Sequence, residues 1–287
     1  MQKSNCLEDY KYNKYSQHGE DGVIEEILNR IPKKNGWCVE FGAWDGSYLS
    51  NTKNLFQNKG YSAVLIEGNY EKSVELETLY SKNEKIITLN RFVGFSKKDN
   101  LDKILAETEI PLEFDFLSID VDGNDYHIWK AVSKYKPKVV CIEFNPTIHT
   151  GVDFVQPSDP NLNQGSSISS IVKLGERKGY KLVSVLVCNA FFVKDEFFEE
   201  FKISDNSPEA LRKDQNSLSY LFVGYDGTIF LRGNNKLPWH NPILIEEKKF
   251  QVLPKFLRKY ADNYNFVEKR LFKIYMLLRE FKKKIKL

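Results

Sequence analysis

The chain predicts an α/β fold, with a mostly parallel sheet covered by helices on both faces and an antiparallel hairpin at one edge. Three observations predict it. Short apolar runs such as WCVEF, SAVLI and VVCIEF are nearly continuous in hydrophobicity, as strands buried on both faces are. Segments of helical period separate them, and strands alternating with helices imply βαβ units. The apolar runs end in acids, asparagine or glycine, the residue types that collect where a parallel sheet opens to its ligands.

The elements follow in order. EDGVIEEILNRI, residues 20–31, places Val23, Ile24, Ile27, Leu28 and Ile31 at helical spacing, and Pro32 and Gly36 close it. WCVEF is the first strand, NTKNLFQNKG a short helix stopped at Gly60, and YSAVLIEGN the second strand. SVELETLYSK is helical, KIITLNRFVGF a third strand and LDKILAET a helix. EFDFLSIDVDGND reads as a fourth strand, DYHIWKAVSKY as a helix and KVVCIEFNP as a fifth strand. SSISSIVKLGERKGY is a helix and KLVSVLVCNAFFV a sixth strand. LSYLFVGYDGTIFLRG turns at Tyr225-Asp226-Gly227 into a final antiparallel hairpin. Three segments result: an N-terminal helical segment over residues 1–35, a Rossmann-like domain over 36–245, and a basic helical tail over 246–287.

Composition bounds the functional classes. Hydrophobic residues make up 41% and charged residues 28%, as in an ordinary folded domain. No apolar run approaches the roughly 20 residues of a membrane span, and the polar first residues show no secretory signal. Cys6, Cys38, Cys141 and Cys188 lie far apart, without the close pairing of a thiolate metal site. Cys38, Cys141 and Cys188 fall in apolar runs and read as buried free thiols, which points to a reducing cytoplasm. The net charge of +3 hides an asymmetry: from Glu246 onward 13 Lys/Arg face 5 Asp/Glu, so the tail carries +8 and the body −5. A mildly acidic body argues against nucleic acid. The tail sequence NYNFVEKRLFKIYMLLREFKKKIKL gathers Phe266, Leu271, Tyr275, Leu278 and Phe281 near one helix face. It suits either the anionic inner face of a membrane or packing on the domain or on a second subunit.

The acids carry the chemistry. In EFGAWDG, Gly42 lets the chain turn tightly and approach a ligand, and Gly46 can do so lower in the turn. The pattern is not G-x-G-x-x-G, and Glu40 and Asp45 beside it disfavour a pyrophosphate. Two carboxylates suit a cationic ligand such as S-adenosylmethionine, or else cap the next helix and bond turn amides. Glu67 ends the second strand 21 residues after Gly46, where an acid can accept ribose hydroxyls.

EFGAWDG followed by SNT, then LIEGN, resembles the first two motifs of a class I S-adenosylmethionine-dependent methyltransferase. With YSQHGED upstream and FLSIDVDGNDYHIWKA and VVCIEFNP downstream, the set resembles the FkbM-type enzymes over residues 15–195. The Gly-rich loop departs from that family, with Ala43 and Trp44 between its glycines. The resemblance implies S-adenosylmethionine as cofactor, held by Gln17, Glu40, Gly42, Asp45, Gly46, Asn51, Glu67 and Asp120. It also implies methylation of a hydroxyl, on a sugar of a surface polysaccharide or glycolipid.

Methyl transfer to a hydroxyl needs alignment and removal of a proton. Asp120 and Asp122 share a strand face and are the first catalytic candidates, with His149 in NPTIHTG as a general base of suitable pKa. Asp120, Asp122, Glu143 and Asn145 offer oxygens that suit Mg²⁺; alternatively Asp122-Gly-Asn-Asp is a turn that caps a helix, with Asp125 the cap. His127 and His18 are weaker candidates. Residues 146–167, a polar loop with three prolines, read as a lid, with Ser166 and Ser167 capping the next helix. Two rivals stand beside this reading: a metal-dependent glycosyltransferase using Asp120-x-Asp122, and a non-catalytic cofactor-binding scaffold. Neither the acceptor nor the oligomeric state follows from the sequence, and a homo-oligomer is one expectation.

Overall fold

The computed structural model describes residues 4–240 and 243–285. The chain divides into two compact units, Met1–Gln215 and Asn216–Leu287. The first unit alternates as expected: α1 (Glu20–Arg30), β1 (Trp37–Phe41), α2 (Lys53–Asn58), β2 (Ser62–Glu67), α3 (Tyr70–Tyr80), β3 (Ile86–Asn90), α4 (Leu101–Leu105), β4 (Phe116–Ile119), α5 (Asp125–Ala131), β5 (Val139–Glu143), α6 (Ile168–Arg177), β6 (Tyr180–Val185), β7 (Asn189–Lys194) and the short α7 (Pro208–Leu211). Seven strands form one sheet in the order β3-β2-β1-β4-β5-β7-β6. β1 to β5 are parallel, while β7 runs antiparallel to both β5 and β6. The order 3-2-1-4-5 is that of a Rossmann-like sheet with its switch point between β1 and β4.

The antiparallel edge exists, but in a different place from the one expected. KLVSVLVCNAFFV is two strands joined through residues 186–188, because Leu186 donates back to the carbonyl of Asn189 at 2.8 Å. The expected final hairpin, β8 (Ser219–Val223) and β9 (Ile229–Gly233), forms its own two-stranded sheet in the second unit. That unit therefore begins near residue 216, ahead of the tail boundary at 246, and ends in α8 (Phe266–Ile285).

Period-two alternation sorts the strand residues onto two cores. Val39, Phe41, Val64, Ile66, Leu117, Ile119, Val140 and Ile142 pack with α4, α5 and α6 through Leu105, Trp129 and Ile171. Cys38, Ala63, Leu65, Phe116, Val139 and Cys141 pack with α1, α2 and α3 through Ile24, Ile27, Leu55 and Leu76. Helices thus cover both faces. All four cysteines are free: Cys38 and Cys141 are buried on strands, and Cys188 sits half-buried in the β6–β7 turn. At the opposite end of the sheet from the strand C-termini, the buried Asp115 binds Lys138 at 2.8 Å and accepts the amides of Asn35 and Gly36.

Candidate functional site

Strand register builds the site. Phe41 pairs with Ile66 and with Ile119, and Ile119 pairs with Ile142, so four parallel strands end level. The next residue on each, across β2, β1, β4 and β5, is Glu67, Gly42, Asp120 and Glu143. Asn90 pairs with Glu67 and Asn189 with Glu143, which extends the row on both sides. The mouth of the sheet is thus a line of acids and amides with one gap, at Gly42.

The gap is enforced by geometry. Gly42 has φ +70°, and a Cβ there would lie 2.7 Å from the Asp120 carbonyl oxygen. Around it opens a cavity of about 380 Å³. Its walls come from the ends of β1 and β2 (Gly42, Trp44, Glu67, Asn69), from the segment after β3 (Arg91, Phe92, Phe95), from the β4–α5 turn (Asp120, Asp122, Asn124) and from Pro160 and Asn163. Such a volume suits a nucleoside-sized ligand.

Glu67 keeps acceptor capacity in that wall. Its Oε2 accepts the Trp44 amide at 2.8 Å and its Oε1 the Asn69 amide at 2.7 Å. A carboxylate has about four lone-pair sites, so one on each oxygen stays open for a ligand hydroxyl. Asn69 also caps α3 by accepting from the Lys72 amide, and the Lys72 ammonium stands 5.1 Å from the Trp44 ring.

Glu40 lies beneath the wall. Its carboxylate accepts the Ser50 hydroxyl at 2.6 Å, the Thr52 hydroxyl at 2.7 Å and the Asn51 amide at 2.7 Å. The SNT of the motif is therefore the clamp on Glu40, and Asn51 ties the loop to Ser118 of β4 at 3.1 Å. Burial pushes the Glu40 carboxyl up, and these hydrogen bonds oppose it. Asp45 caps its own turn, accepting the amides of Ser47 and Tyr48. Burial acts to raise its carboxyl, but the amides outweigh it and hold the group below the usual range. Gly46 is a packing glycine: a Cβ there would meet Leu76 at 2.4 Å and Tyr80 at 2.6 Å. Of the sequence candidates for cofactor contact, Gly42, Glu67 and Asp120 line the cavity, whereas Gln17, Glu40, Asp45, Gly46 and Asn51 do not.

Around Asp120 the field is negative. Burial and then the charges of Asp125, Asp122, Glu40 and Glu20 push its carboxyl well above the ordinary range. Burial and then Asp120, Asp125 and Asp122 push Glu143 up to about 10. Asp125 holds the turn by accepting the amides of Val121 at 3.0 Å and Gly123 at 2.9 Å. Burial still raises it to about 6. Asp125 thus closes the preceding turn from the first position of α5; it is not the helix N-cap expected, a position that falls on Asn124, whose side chain makes no cap bond. Asp122 is exposed with φ +54°, and its carbonyl accepts from Asn163.

Other candidates lie elsewhere. His149 is exposed, and its Nδ1 accepts the Gly151 amide at 2.9 Å, so that nitrogen is occupied within its own loop. His127 meets the Gln156 carbonyl at 2.8 Å. Asn145 Oδ1 accepts from the amide and hydroxyl of Thr147, and its Nδ2 donates to the Gln164 carbonyl. Among the described residues no group of three or more His, Cys, Asp or Glu side chains is placed to hold a metal ion. Of the oxygens expected for Mg²⁺, that of Asn145 is engaged by Thr147 at the start of loop 146–167.

Two parts of the site escape sequence reasoning. Residues 91–95 belong to the cavity wall and not to β3, which ends at Asn90; the glycine inside NRFVGF was the available sign of a turn. Gln156 is fully buried and ties loop 146–167 together. Its amide donates to Asn124 and the Leu162 carbonyl, and its carbonyl accepts from Gln164 and Gly165. Ser167 caps α6, as expected. At the far side, Asn189 donates to Glu20 at 3.2 Å, linking the start of α1 to the end of the acidic row.

Solved structures match the chain at low similarity. The N-terminal domain of EvdMO1, solved with SAH bound, is 13% identical with a TM-score of 0.39, over 62% of this chain and 82% of its own. Magnesium protoporphyrin IX methyltransferase (ChlM) from Synechocystis PCC 6803, with bound SAH, is 12% identical with a TM-score of 0.41, over 61% of this chain and 81% of its own. The glycopeptide N-methyltransferase MtfA, complexed with S-adenosylhomocysteine, is 9% identical with a TM-score of 0.37, over 63% of this chain and 90% of its own. No protein-family model and no curated protein matches the chain.

Proposed function

We propose that this protein is an S-adenosylmethionine-dependent O-methyltransferase acting on a hydroxyl of a sugar, in a surface polysaccharide or glycolipid. One observation carries the donor reading: Gly42 stands between Glu67 and Asp120 in a single row at the mouth of the sheet, on a cavity of about 380 Å³. The absent side chain at Gly42 lets its backbone turn at φ +70° against the Asp120 carbonyl while lining the cavity, and Glu67 retains acceptor sites for a pair of hydroxyls. The negative field from Asp120, Asp122 and Asp125 favours a cation. The acceptor class rests on the resemblance of YSQHGED, EFGAWDG, FLSIDVDGND and VVCIEFNP to FkbM-type enzymes.

When bound, S-adenosylmethionine supplies a methyl group on a positively charged sulfur. This chain's residues then do the rest. Gly42 and Glu67 orient the nucleoside end. Asp120, at the switch point, faces the acceptor. Its raised pKa makes it a stronger base than a surface carboxylate, and a neighbouring cation favours its ionised form. With the donor bound, its methyl group would be available to the acceptor oxygen, the sulfur keeping the electron pair, and Asp120 would take the hydroxyl proton. Pro160 and Asn163, held down through Gln156, shield the cavity from water.

Turnover tests this reading. Incubation with the donor and a panel of glycans should yield S-adenosylhomocysteine and a product heavier by one methyl group. Asp120→Asn should cut the rate about 100-fold or more while leaving donor binding within a few-fold. Donor binding that survives with no turnover on any acceptor would favour the scaffold.

A further inference from the structure

We infer that the second unit, and α8 within it, is a docking surface for an anionic lipid bilayer, an inference that stands apart from the methyl-transfer reading. α8 uses one face to pack on its own unit. Phe272 meets Tyr264 with ring centroids 5.7 Å apart, Tyr275 donates to the Val252 carbonyl, and Glu268 pairs with Lys259 at 2.5 Å. Another face is apolar and, among the described residues, has no cover. Val267, Leu271, Ile274, Leu278 and Phe281 recur at steps of four and three residues and form one stripe, each between 40% and 64% exposed.

Charge identifies the occupant. The helix sequence carries 7 Lys/Arg against 2 Asp/Glu, a net of +5. Arg270, Lys273 and Lys284 border one edge of the stripe and Lys282 the other, all of them exposed. The unit as a whole has 15 Lys/Arg against 6 Asp/Glu, a net of +9. An apolar stripe with basic flanks lies in the plane of an interface, its stripe among the acyl chains and its cations at anionic headgroups. The same unit exposes Tyr225, Trp239, Phe256 and Tyr260, aromatic types that settle at headgroup level. A second copy of this chain fits less well. Pairing two such stripes brings two +5 helices together; the positions flanking the seam are Arg270, Leu277 and Lys284 on one side and Glu268, Tyr275 and Lys282 on the other, and Glu268 is already paired with Lys259. Among the described residues no helix is long and apolar enough to cross a membrane, so the contact is peripheral.

Flotation of the full chain on vesicles tests the inference. Vesicles of phosphatidylcholine with about 30% phosphatidylglycerol are compared with phosphatidylcholine alone. The bound fraction should be about tenfold higher on the anionic vesicles and should fall when salt is raised to about 0.5 M. The double variant Ile274→Asp, Leu278→Asp should lose the binding with its melting temperature unchanged. The exposed pair Lys273→Glu, Lys282→Glu should weaken it several-fold without touching the stripe. Equal binding to both vesicle types, or no binding by a folded protein, overturns the inference. So does a concentration-dependent dimer that the Asp variants abolish, which would assign the stripe to a second copy.

Discussion

Glu67 and Asp120 stand at one level on the ends of β2 and β4, with only Gly42 of the intervening strand between them. That relationship makes the mouth of the sheet a site: two acids flank a position where a side chain is excluded.

Gly42→Ala should destabilise the protein. The backbone is left-handed at φ +70°, and the new Cβ would press on the Asp120 carbonyl at 2.7 Å, with no flexible side chain to yield. The expected loss is about 1–3 kcal/mol, read as a lowered midpoint in urea unfolding. An unchanged midpoint would show that β1 and β4 separate more readily than their register implies.

Glu40→Ala should cost more than its burial suggests. It leaves the Ser50 and Thr52 hydroxyls and the Asn51 amide without their acceptor. About 1–3 kcal/mol is expected per orphaned buried group, with partial recovery by water. Hydrogen exchange over residues 42–52 should rise ahead of exchange in the strands.

Gln156→Ala should loosen loop 146–167 and spare the sheet. Four hydrogen bonds on one side chain join residues 124, 162, 164 and 165. Faster exchange confined to residues 122–124 and 156–165 is the expected pattern. A global loss of protection would make Gln156 part of the core.

Stability should depend on Glu143 through pH. Its folded carboxyl lies at about 10 against an ordinary 4.5, raised by burial and then by Asp120. The folded state therefore holds a proton that the unfolded state has released between those values. Stability from this group is complete below about 4.5 and declines as pH rises toward 10. Glu143→Gln should raise the melting temperature at pH 8–9 and change little at pH 5. A larger gain at pH 5 than at pH 9 would reverse the assigned field.

Much of this was legible in the sequence, for physical reasons that also set the limits. Two-sided burial writes a parallel strand as an apolar run, so β1, β2 and β5 fall where WCVEF, SAVLI and VVCIE stand. The β6–β7 turn was hidden, because Leu-Val-Cys carries no glycine or proline and its bend is closed by backbone bonds. Gly42 and Glu67 could be placed on the site because a residue's position at a strand end determines what it faces. Glu40 could not, since a carboxylate that folds a loop and one that meets a ligand have the same letter. Gln156 gave no sign at all: its role depends on which distant backbone groups a loop brings to it.

Titration calorimetry with S-adenosylhomocysteine tests the central claim most directly. Saturable binding by the wild type, weakened about tenfold or more in Glu67→Ala with the fold intact, is the predicted result. A folded wild type that takes up none of it at millimolar concentration, or a Glu67→Ala variant that binds as tightly as the wild type, would contradict the account.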